Sequence, residues 1–146
     1  MLPNSKIRLT SDEIKYIALF ESVTGATAKD CLLDEKNGRV IFVAKEGEAG
    51  LAIGKGGKKI ELLKRMVGKT VEVVEYSSEL EGLIRNSLYP AKIREVRKVR
   101  KGDRTIVVID VEPKDKALAI GKNGRTIEKA RMLVKRYFQV DRVMIA

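Results

Sequence analysis

Glycine and lysine recur in two short segments of the chain, at a spacing suited to binding phosphate. The first segment is Gly54-Lys55-Gly56-Gly57, and the second is Gly121-Lys122-Asn123-Gly124. A helical pattern follows each, and a helix N-terminus presents unpaired N–H groups and a partial positive charge. Glycines ahead of these donors let a sugar-phosphate backbone approach closely, and the lysine adds charge. The two segments therefore predict anion-binding loops.

The loops belong to a longer internal repeat. Residues 51–61 read Leu-Ala-Ile-Gly-Lys-Gly-Gly-Lys-Lys-Ile-Glu, and residues 118–128 repeat eight of these eleven residues 67 positions later. A glycine that merely ends one helix before another would explain a single loop. Two copies in the same frame favour a binding function. The repeat also predicts two copies of one module of about 70 residues.

Other chemistries are excluded by the residues around the loops. A Walker loop requires glycine five positions before its Gly-Lys pair, but Gly54-Lys55 has Ala49 there and Gly68-Lys69 has Leu63. The dinucleotide fingerprint fails at Lys59, where its third glycine should stand. The chain contains no histidine, which excludes Ser-His-Asp and Cys-His nucleophile systems and zinc sites built on His. Paired carboxylates remain available for acid/base catalysis, but no arrangement of them indicates it. We predict no catalytic residue, no metal site and no cofactor.

Charge is distributed unevenly along the chain. The net charge is +10; the first part, ending at Tyr76, has 13 Lys/Arg against 11 Asp/Glu, and the second part has 17 against 9. The two parts therefore carry +2 and +8. A basic surface of this kind favours polyanionic partners, and nucleic acid is the partner that we predict for the second part.

Composition places the chain among folded, soluble proteins. Of its 146 residues 44% are apolar, which is sufficient for a hydrophobic core. No apolar run approaches the roughly 20 residues that cross a bilayer, and no charged-then-apolar leader opens the chain. The single cysteine, Cys31, excludes an intramolecular disulfide and fits a reducing compartment. We expect a cytoplasmic protein.

The elements that must position the first loop follow from pattern and turn chemistry. A capping box at residues 10–13 begins a helix that fades at Gly25. Asn37-Gly38 indicates a hairpin between strands at 31–34 and 39–44. A short helix at 46–53 precedes the loop, and a helix at 58–66 and a strand at 71–74 follow it. The predicted order is α-β-β-α-α-β.

The second half predicts the same order. A second capping box at residues 78–81 begins a helix that stops near Pro90, and strands at 92–100 and 105–111 follow. Pro113 is predicted in the first turn of the next helix, where its missing N–H is harmless. The second loop opens a helix that ends near Phe138, and the last strand is predicted at 140–145.

At the loops the sequence resembles a known family. Ile-Gly-Lys-Gly-Gly-x-x-Ile and Ile-Gly-Lys-Asn-Gly-x-x-Ile are similar to the signature of KH RNA-binding domains. The element order resembles the α+β arrangement called type II, a three-stranded mixed sheet backed by helices. Two such domains in tandem, at residues 1–76 and 77–146, resemble the KH pair of the NusA family of transcription factors. The short length is similar to that of archaeal members.

The resemblance implies that each loop clamps about four single-stranded nucleotides, with the bases in an aliphatic groove. Ahead of the loops, Leu51, Ile53, Leu118 and Ile120 are predicted to anchor the short helix and to floor that groove. The RNA-binding residues predicted at the first loop are Ile53, Gly54, Lys55, Gly56, Gly57, Lys58 and Lys59. Those predicted at the second loop are Ile120, Gly121, Lys122, Asn123, Gly124 and Arg125.

A basic strand adds two residues to this predicted set, Arg97 and Arg100. Seven cations occur in the thirteen residues 92–104. They are interpreted either as a solvated edge strand that charge protects from aggregation, or as a phosphate track flanking the second groove. Ile93, Val96 and Val99 recur every three residues, which indicates a bulge in this strand.

The resemblance implies a single-stranded RNA-binding transcription factor that acts on nascent transcripts in elongation, termination or antitermination. RNA polymerase is a candidate partner. The alternative is a ribosomal or ribosome-assembly RNA-binding protein, because a ribosomal domain shares this topology. An enzyme that uses the loops for a nucleotide is a third hypothesis, and it requires turnover that is lost when a loop lysine is changed. We expect no enzyme, no membrane partner and no small-molecule substrate.

Overall fold

The computed structural model describes residues 7–146, which form two compact units. One unit comprises Arg8–Tyr76, and the other contains Ser77–Ala146. The first six residues of the predicted first domain lie outside the described residues. Each unit has a three-stranded mixed sheet backed by helices, in the order α-β-β-α-α-β. The predicted α+β fold class, with two modules of the same element order, is therefore confirmed.

The first unit contains three helices and three strands. Its elements are α1 (Ser11–Thr24), β1 (Ala28–Asp34), β2 (Arg39–Ala44), α2 (Ala49–Ile53), α3 (Lys58–Val67) and β3 (Thr70–Glu75). A 3-10 turn at Lys55–Gly57 joins α2 to α3. The predicted capping box of α1 is confirmed, because the Glu13 N–H donates to Thr10 Oγ1 and the Thr10 N–H donates to Glu13 Oε1.

The second unit repeats this order. Its elements are α4 (Leu80–Leu88), β4 (Ile93–Lys101), β5 (Arg104–Val111), α5 (Lys116–Ile120), α6 (Arg125–Tyr137) and β6 (Arg142–Ile145). A 3-10 turn at Lys122–Gly124 joins α5 to α6. Pro113 begins a separate 3-10 turn, Pro113–Asp115, that leads into α5. The proline therefore lies one turn earlier than the helix it was predicted to open.

The second predicted capping box is wrong. Helix α4 begins at Leu80, and its N-cap Glu79 makes no side-chain cap. The Oγ of Ser77 instead accepts a hydrogen bond from the Glu79 N–H at 3.2 Å. Glu81, the residue that should reach back to the cap, pairs with Arg85 at 3.0 Å. The motif does not form its usual pair of bonds, because the helix has its N-cap one residue after Ser78 and the Glu81 carboxylate is bonded to Arg85.

The two sheets have the same strand pairing. In the first, β1 is antiparallel to the central strand β2, which is parallel to β3. In the second, β5 is the central strand between antiparallel β4 and parallel β6. Each first strand contains a register shift, at Ala28/Asp30 and at Ile93/Glu95. The irregularity predicted in the basic strand is therefore present, at its beginning.

Each sheet packs one face against its helices. In the first unit the Phe20 ring of α1 stacks on Phe42 of β2 with 4.5 Å between the ring centroids. In the second unit the buried side chains of β5 alternate with partly exposed ones, and Val107 and Ile109 join the core that α4 and α6 complete. Among residues 7–146, every helix falls short of what a membrane span requires in length and apolar character.

Candidate nucleic-acid interface

The two glycine loops adopt one backbone conformation. Their first glycines have φ 79°, with ψ 167° at Gly54 and 169° at Gly121. The third and fourth positions of both loops are left-handed, with φ 64° at Gly56, 57° at Asn123, 73° at Gly57 and 75° at Gly124. Asparagine is among the residues that tolerate this region best, which explains how the second loop accepts a side chain. The sequence repeat is therefore also a repeat of backbone geometry.

Each loop delivers a helix N-terminus without a side-chain cap. The N-caps of α3 and α6 are Gly57 and Gly124, and neither helix has a side-chain cap bond. The first helical N–H, that of Lys58 or Arg125, donates back to the carbonyl oxygen of Lys55 or Lys122, and glycine at the N-cap places no side chain over the donors that follow. Lys55 and Lys122 are exposed beside them. The arrangement can receive an anionic group on backbone N–H donors with a lysine alongside.

The first glycine of each loop has no room for a side chain. A Cβ on Gly54 would lie 2.7 Å from Cγ of Lys59. A Cβ on Gly121 would lie 2.8 Å from the backbone nitrogen of Thr126 and would overlap its Oγ1. The φ and ψ of both glycines also belong to a region that side chains rarely enter. Close approach within the fold, as well as turn geometry, requires glycine at these two positions.

Lys59 is held inside the first unit. Its ammonium group donates hydrogen bonds to the carbonyl oxygen of Thr24 at 2.8 Å and to that of Leu51 at 3.4 Å. Thr24 ends α1, and Leu51 lies in α2, so the side chain joins both helices to α3. Of the first-loop cations in the predicted RNA-binding set, Lys55 and Lys58 are exposed, whereas Lys59 is partly buried.

Alanine, rather than leucine or isoleucine, anchors the short helices ahead of the loops. Ala52 and Ala119 are fully buried. The apolar residues around them are exposed: Leu51 by 48%, Ile53 by 38%, Leu118 by 47% and Ile120 by 40%. The prediction that these four side chains anchor the helices is wrong, because a five-residue helix turns only a narrow face to the core. They instead form an apolar surface next to each loop.

Arg97 and Arg100 lie on opposite faces of β4. Arg97 pairs with Val108 of β5, and Arg100 pairs with Thr105. Successive residues of a strand point to opposite faces, and the register from Arg97 to Arg100 is unbroken. Thr105 is buried on the face that packs against the helices, whereas Val108 is on the other face. The two arginines therefore do not form a single track.

The end of β4 that carries Arg100 is also remote from the second loop. Helix α6 leaves the loop and runs back along the unit for 13 residues, which is about 20 Å at 1.5 Å per residue. The segment after α6 is bonded to the start of β5: the Asp141 N–H donates to the Thr105 carbonyl, and the Thr105 N–H donates to Asp141 Oδ2. The β4–β5 turn and the loop thus lie at opposite ends of α6.

Sequence profiles of two families match the chain. One, described as KH domain, matches residues 13–103, and the other, described as NusA-like second KH domain, matches residues 80–145.

Among residues 7–146, no group of three or more His, Cys, Asp and Glu side chains is arranged to hold a metal ion.

Whole proteins of similar sequence agree with these profiles. A Halobacterium salinarum protein named "Probable transcription termination protein NusA" is 40% identical over 139 residues, 95% of this chain and 98% of that one. A Methanocaldococcus jannaschii protein of the same name is 33% identical over 97% of this chain and 76% of its own length. The crystal structure of APE1850 has a TM-score of 0.85 and 44% identity, and the match covers 94% of this chain and 100% of that one. The chain described here therefore belongs to the NusA family, and it is built of KH domains.

Proposed function

We propose that this chain is a NusA-type RNA-binding transcription factor whose two loops hold the backbone of single-stranded RNA. The observation that carries the proposal is the pair of loops with matching φ and ψ, each followed by a helix N-terminus without a side-chain cap. A KH loop of this form clamps about four nucleotides. The relatives are named as transcription termination proteins, and this supports a role on nascent transcripts.

The chemistry of binding follows from the surfaces beside the loops. Phosphates lie against the glycines and the N–H donors, and the lysines neutralise them. Bases lie on the exposed apolar side chains ahead of each loop. We assign direct RNA contact to Ile53, Gly54, Lys55, Gly56, Gly57 and Lys58, and to Ile120, Gly121, Lys122, Asn123, Gly124 and Arg125.

We exclude Lys59 from this contact set. Its ammonium group is bonded to two carbonyl oxygens of the first unit, so we propose that it positions the loop instead. Arg97 and Arg100 are excluded from the second groove because of their faces and the length of α6. We retain residues 1–76 and 77–146 as the bounds of the two RNA-binding domains.

Binding of about twelve nucleotides of single-stranded RNA, measured by fluorescence anisotropy, tests the proposal. The loop variants are Lys55→Asp/Gly56→Asp and Lys122→Asp/Asn123→Asp, each checked for folding by circular dichroism. We expect each to weaken RNA binding and a matching duplex to bind weakly. If both variants bind RNA with wild-type affinity, the loops only connect two helices and do not bind RNA.

RNA binding alone does not identify the cellular partner, which is either RNA polymerase or the ribosome, so the partner has its own test. We propose action in the cytoplasm on RNA that leaves the polymerase, without catalysis. Co-purification with RNA polymerase would support this assignment, whereas co-purification with ribosomal particles would support the ribosomal alternative. The names of the relatives favour the first outcome.

A further inference from the structure

The β4–β5 hairpin carries a dense group of cations away from the glycine loops. The eight residues 97–104 contain five basic side chains and one acidic side chain, Asp103. We call these five side chains the basic hairpin: Arg97, Lys98, Arg100, Lys101 and Arg104. All five are exposed.

Some surface cations of this protein are neutralised by ion pairs, whereas within residues 7–146 those of the hairpin are not. At the base of β4, Arg94 pairs with Glu112 at 3.2 Å. On the helices, Lys64 pairs with Glu61 and Arg85 pairs with Glu81. Within residues 7–146, the basic hairpin forms no ion pair, and its one side-chain bond joins Arg100 to the hydroxyl of Thr105 at 3.4 Å. The charge of the hairpin is therefore available to an external anion.

The helices of the second unit leave this part of the sheet uncovered. Ile93 is buried at the start of β4, but the residues from Arg97 to Lys101 are all exposed, including Val99 at 41%. Lys98 and Arg100 lie on the face that packs against the helices elsewhere, since they pair with buried Val107 and Thr105. Both faces of the hairpin end consequently present cations to solvent.

We propose that the basic hairpin is a second RNA-binding surface, separate from the glycine loops, that takes the phosphates of RNA extending beyond the grooves. The inference rests on the proposed RNA-binding function. Unpaired cations on two faces suit a flexible polyanion, which can pass along either face. The hairpin and the second loop lie at opposite ends of α6, a helix about 20 Å long, so RNA held by the loop reaches the hairpin only where it extends beyond the groove.

Binding measurements with two RNA lengths test the proposal. The 146-residue chain is titrated into labelled single-stranded RNAs of about six and about twenty-four nucleotides at several salt concentrations. The test variant is Arg97→Gln/Lys98→Gln/Lys101→Gln/Arg104→Gln. The matched control is Lys15→Gln/Lys36→Gln/Lys45→Gln/Lys69→Gln, four exposed lysines of the first unit. Each variant loses four positive charges, from +10 to +6.

We expect the hairpin variant to bind the short RNA like the control and the long RNA more weakly. Its slope of log affinity against log salt on the long RNA should fall by about 3, because each phosphate that the protein neutralises adds roughly 0.7 to the slope. If the larger variant folds poorly, the double variant Lys101→Gln/Arg104→Gln repeats the test at the turn. Its salt slope on the long RNA is expected to fall by about half as much.

Two results would overturn the proposal. Equal losses in the hairpin variant and the control would mean that net charge alone governs binding. If the hairpin variant binds both RNAs like the wild type, the cations of the hairpin do not bind RNA. Their role would then be to protect the edge strand from aggregation or to bind an acidic protein. The short RNA keeps this outcome distinct from failure of the proposed function, which would appear as unchanged six-nucleotide binding in both loop variants, Lys55→Asp/Gly56→Asp and Lys122→Asp/Asn123→Asp.

Discussion

The ammonium group of Lys59 donates a hydrogen bond to the carbonyl oxygen of Thr24, the last residue of α1. Carbonyl groups at a helix C-terminus lack intrahelical partners, and a cation there is favourable. The stem of the same side chain lies against Gly54 at the beginning of the loop. One lysine therefore links the end of α1 to the position of the first loop.

Lys59→Met should lower both the melting temperature and the RNA affinity of the protein, while leaving the salt slope of binding unchanged. The reason is that the substitution removes a positioning contact and no phosphate contact. Lys58→Met is the matched control, because Lys58 is exposed and belongs to the proposed contact set. It should lower the salt slope by about 0.7 without loss of stability. A lower salt slope of RNA binding in Lys59→Met would show instead that Lys59 contacts a phosphate of the RNA.

Gly54→Ala should lower the stability of the protein to thermal unfolding, whereas Gly56→Asn should leave it unchanged. Alanine at Gly54 meets the stem of Lys59 and must adopt φ 79°, ψ 167°, so we expect a loss of about 1–3 kcal/mol. Asparagine at Gly56 has open space around its Cβ, and Asn123 already adopts the corresponding conformation. Gly56→Asn should therefore unfold like the wild type and bind RNA. Comparable losses in both variants would contradict this account of the loop.

Asp34 and Arg39 form a buried ion pair that should make stability depend on pH. Arg39 is 1% exposed, and its Nε lies 2.7 Å from Asp34 Oδ2. Burial by itself raises the pKa of Asp34, but hydrogen bonds from Asn37 and Arg39 and the charge of Arg39 outweigh it. The pKa therefore lies below its ordinary value of 3.8. Stability from this group is present above the ordinary pKa and is lost as pH falls through the lower, folded pKa.

Asp34→Asn should remove that acid-dependent component and cost about 3 kcal/mol near neutral pH, since breaking a buried pair leaves a charge less well compensated. Glu72 remains 3.2 Å from Arg39 Nη1 and limits the loss. Urea unfolding of both proteins between about pH 3 and pH 7 measures the difference. If the difference between variant and wild type stays constant over that range, the pair does not titrate as described.

The second domain should dominate RNA affinity and its salt dependence. Its part of the chain carries +8 against +2 for the first part. Lys122→Asp/Asn123→Asp should therefore weaken binding of a twelve-nucleotide RNA more than Lys55→Asp/Gly56→Asp, as measured by anisotropy at two salt concentrations. Equal losses from the two loop variants would show that the difference in charge does not govern affinity.

Local patterns were sufficient for the parts of this protein that depend on neighbouring residues. The repeat of residues 51–61 at 118–128 predicts both loops, and the capping box at Thr10 predicts the beginning of α1. Asn37-Gly38 predicts the turn between β1 and β2. Such features are encoded by φ, ψ and hydrogen bonds within a few residues, so one sequence is enough to identify them.

Contacts between distant segments were decided by the tertiary structure. The partners of Lys59 are 35 and 8 residues away, and nothing in the loop motif indicates that its ammonium turns inward. The faces of Arg97 and Arg100 depend on the register with β5, and their separation from the second loop depends on the course of α6. A basic pattern specifies charge but not direction, because direction arises only when strands pair and helices pack.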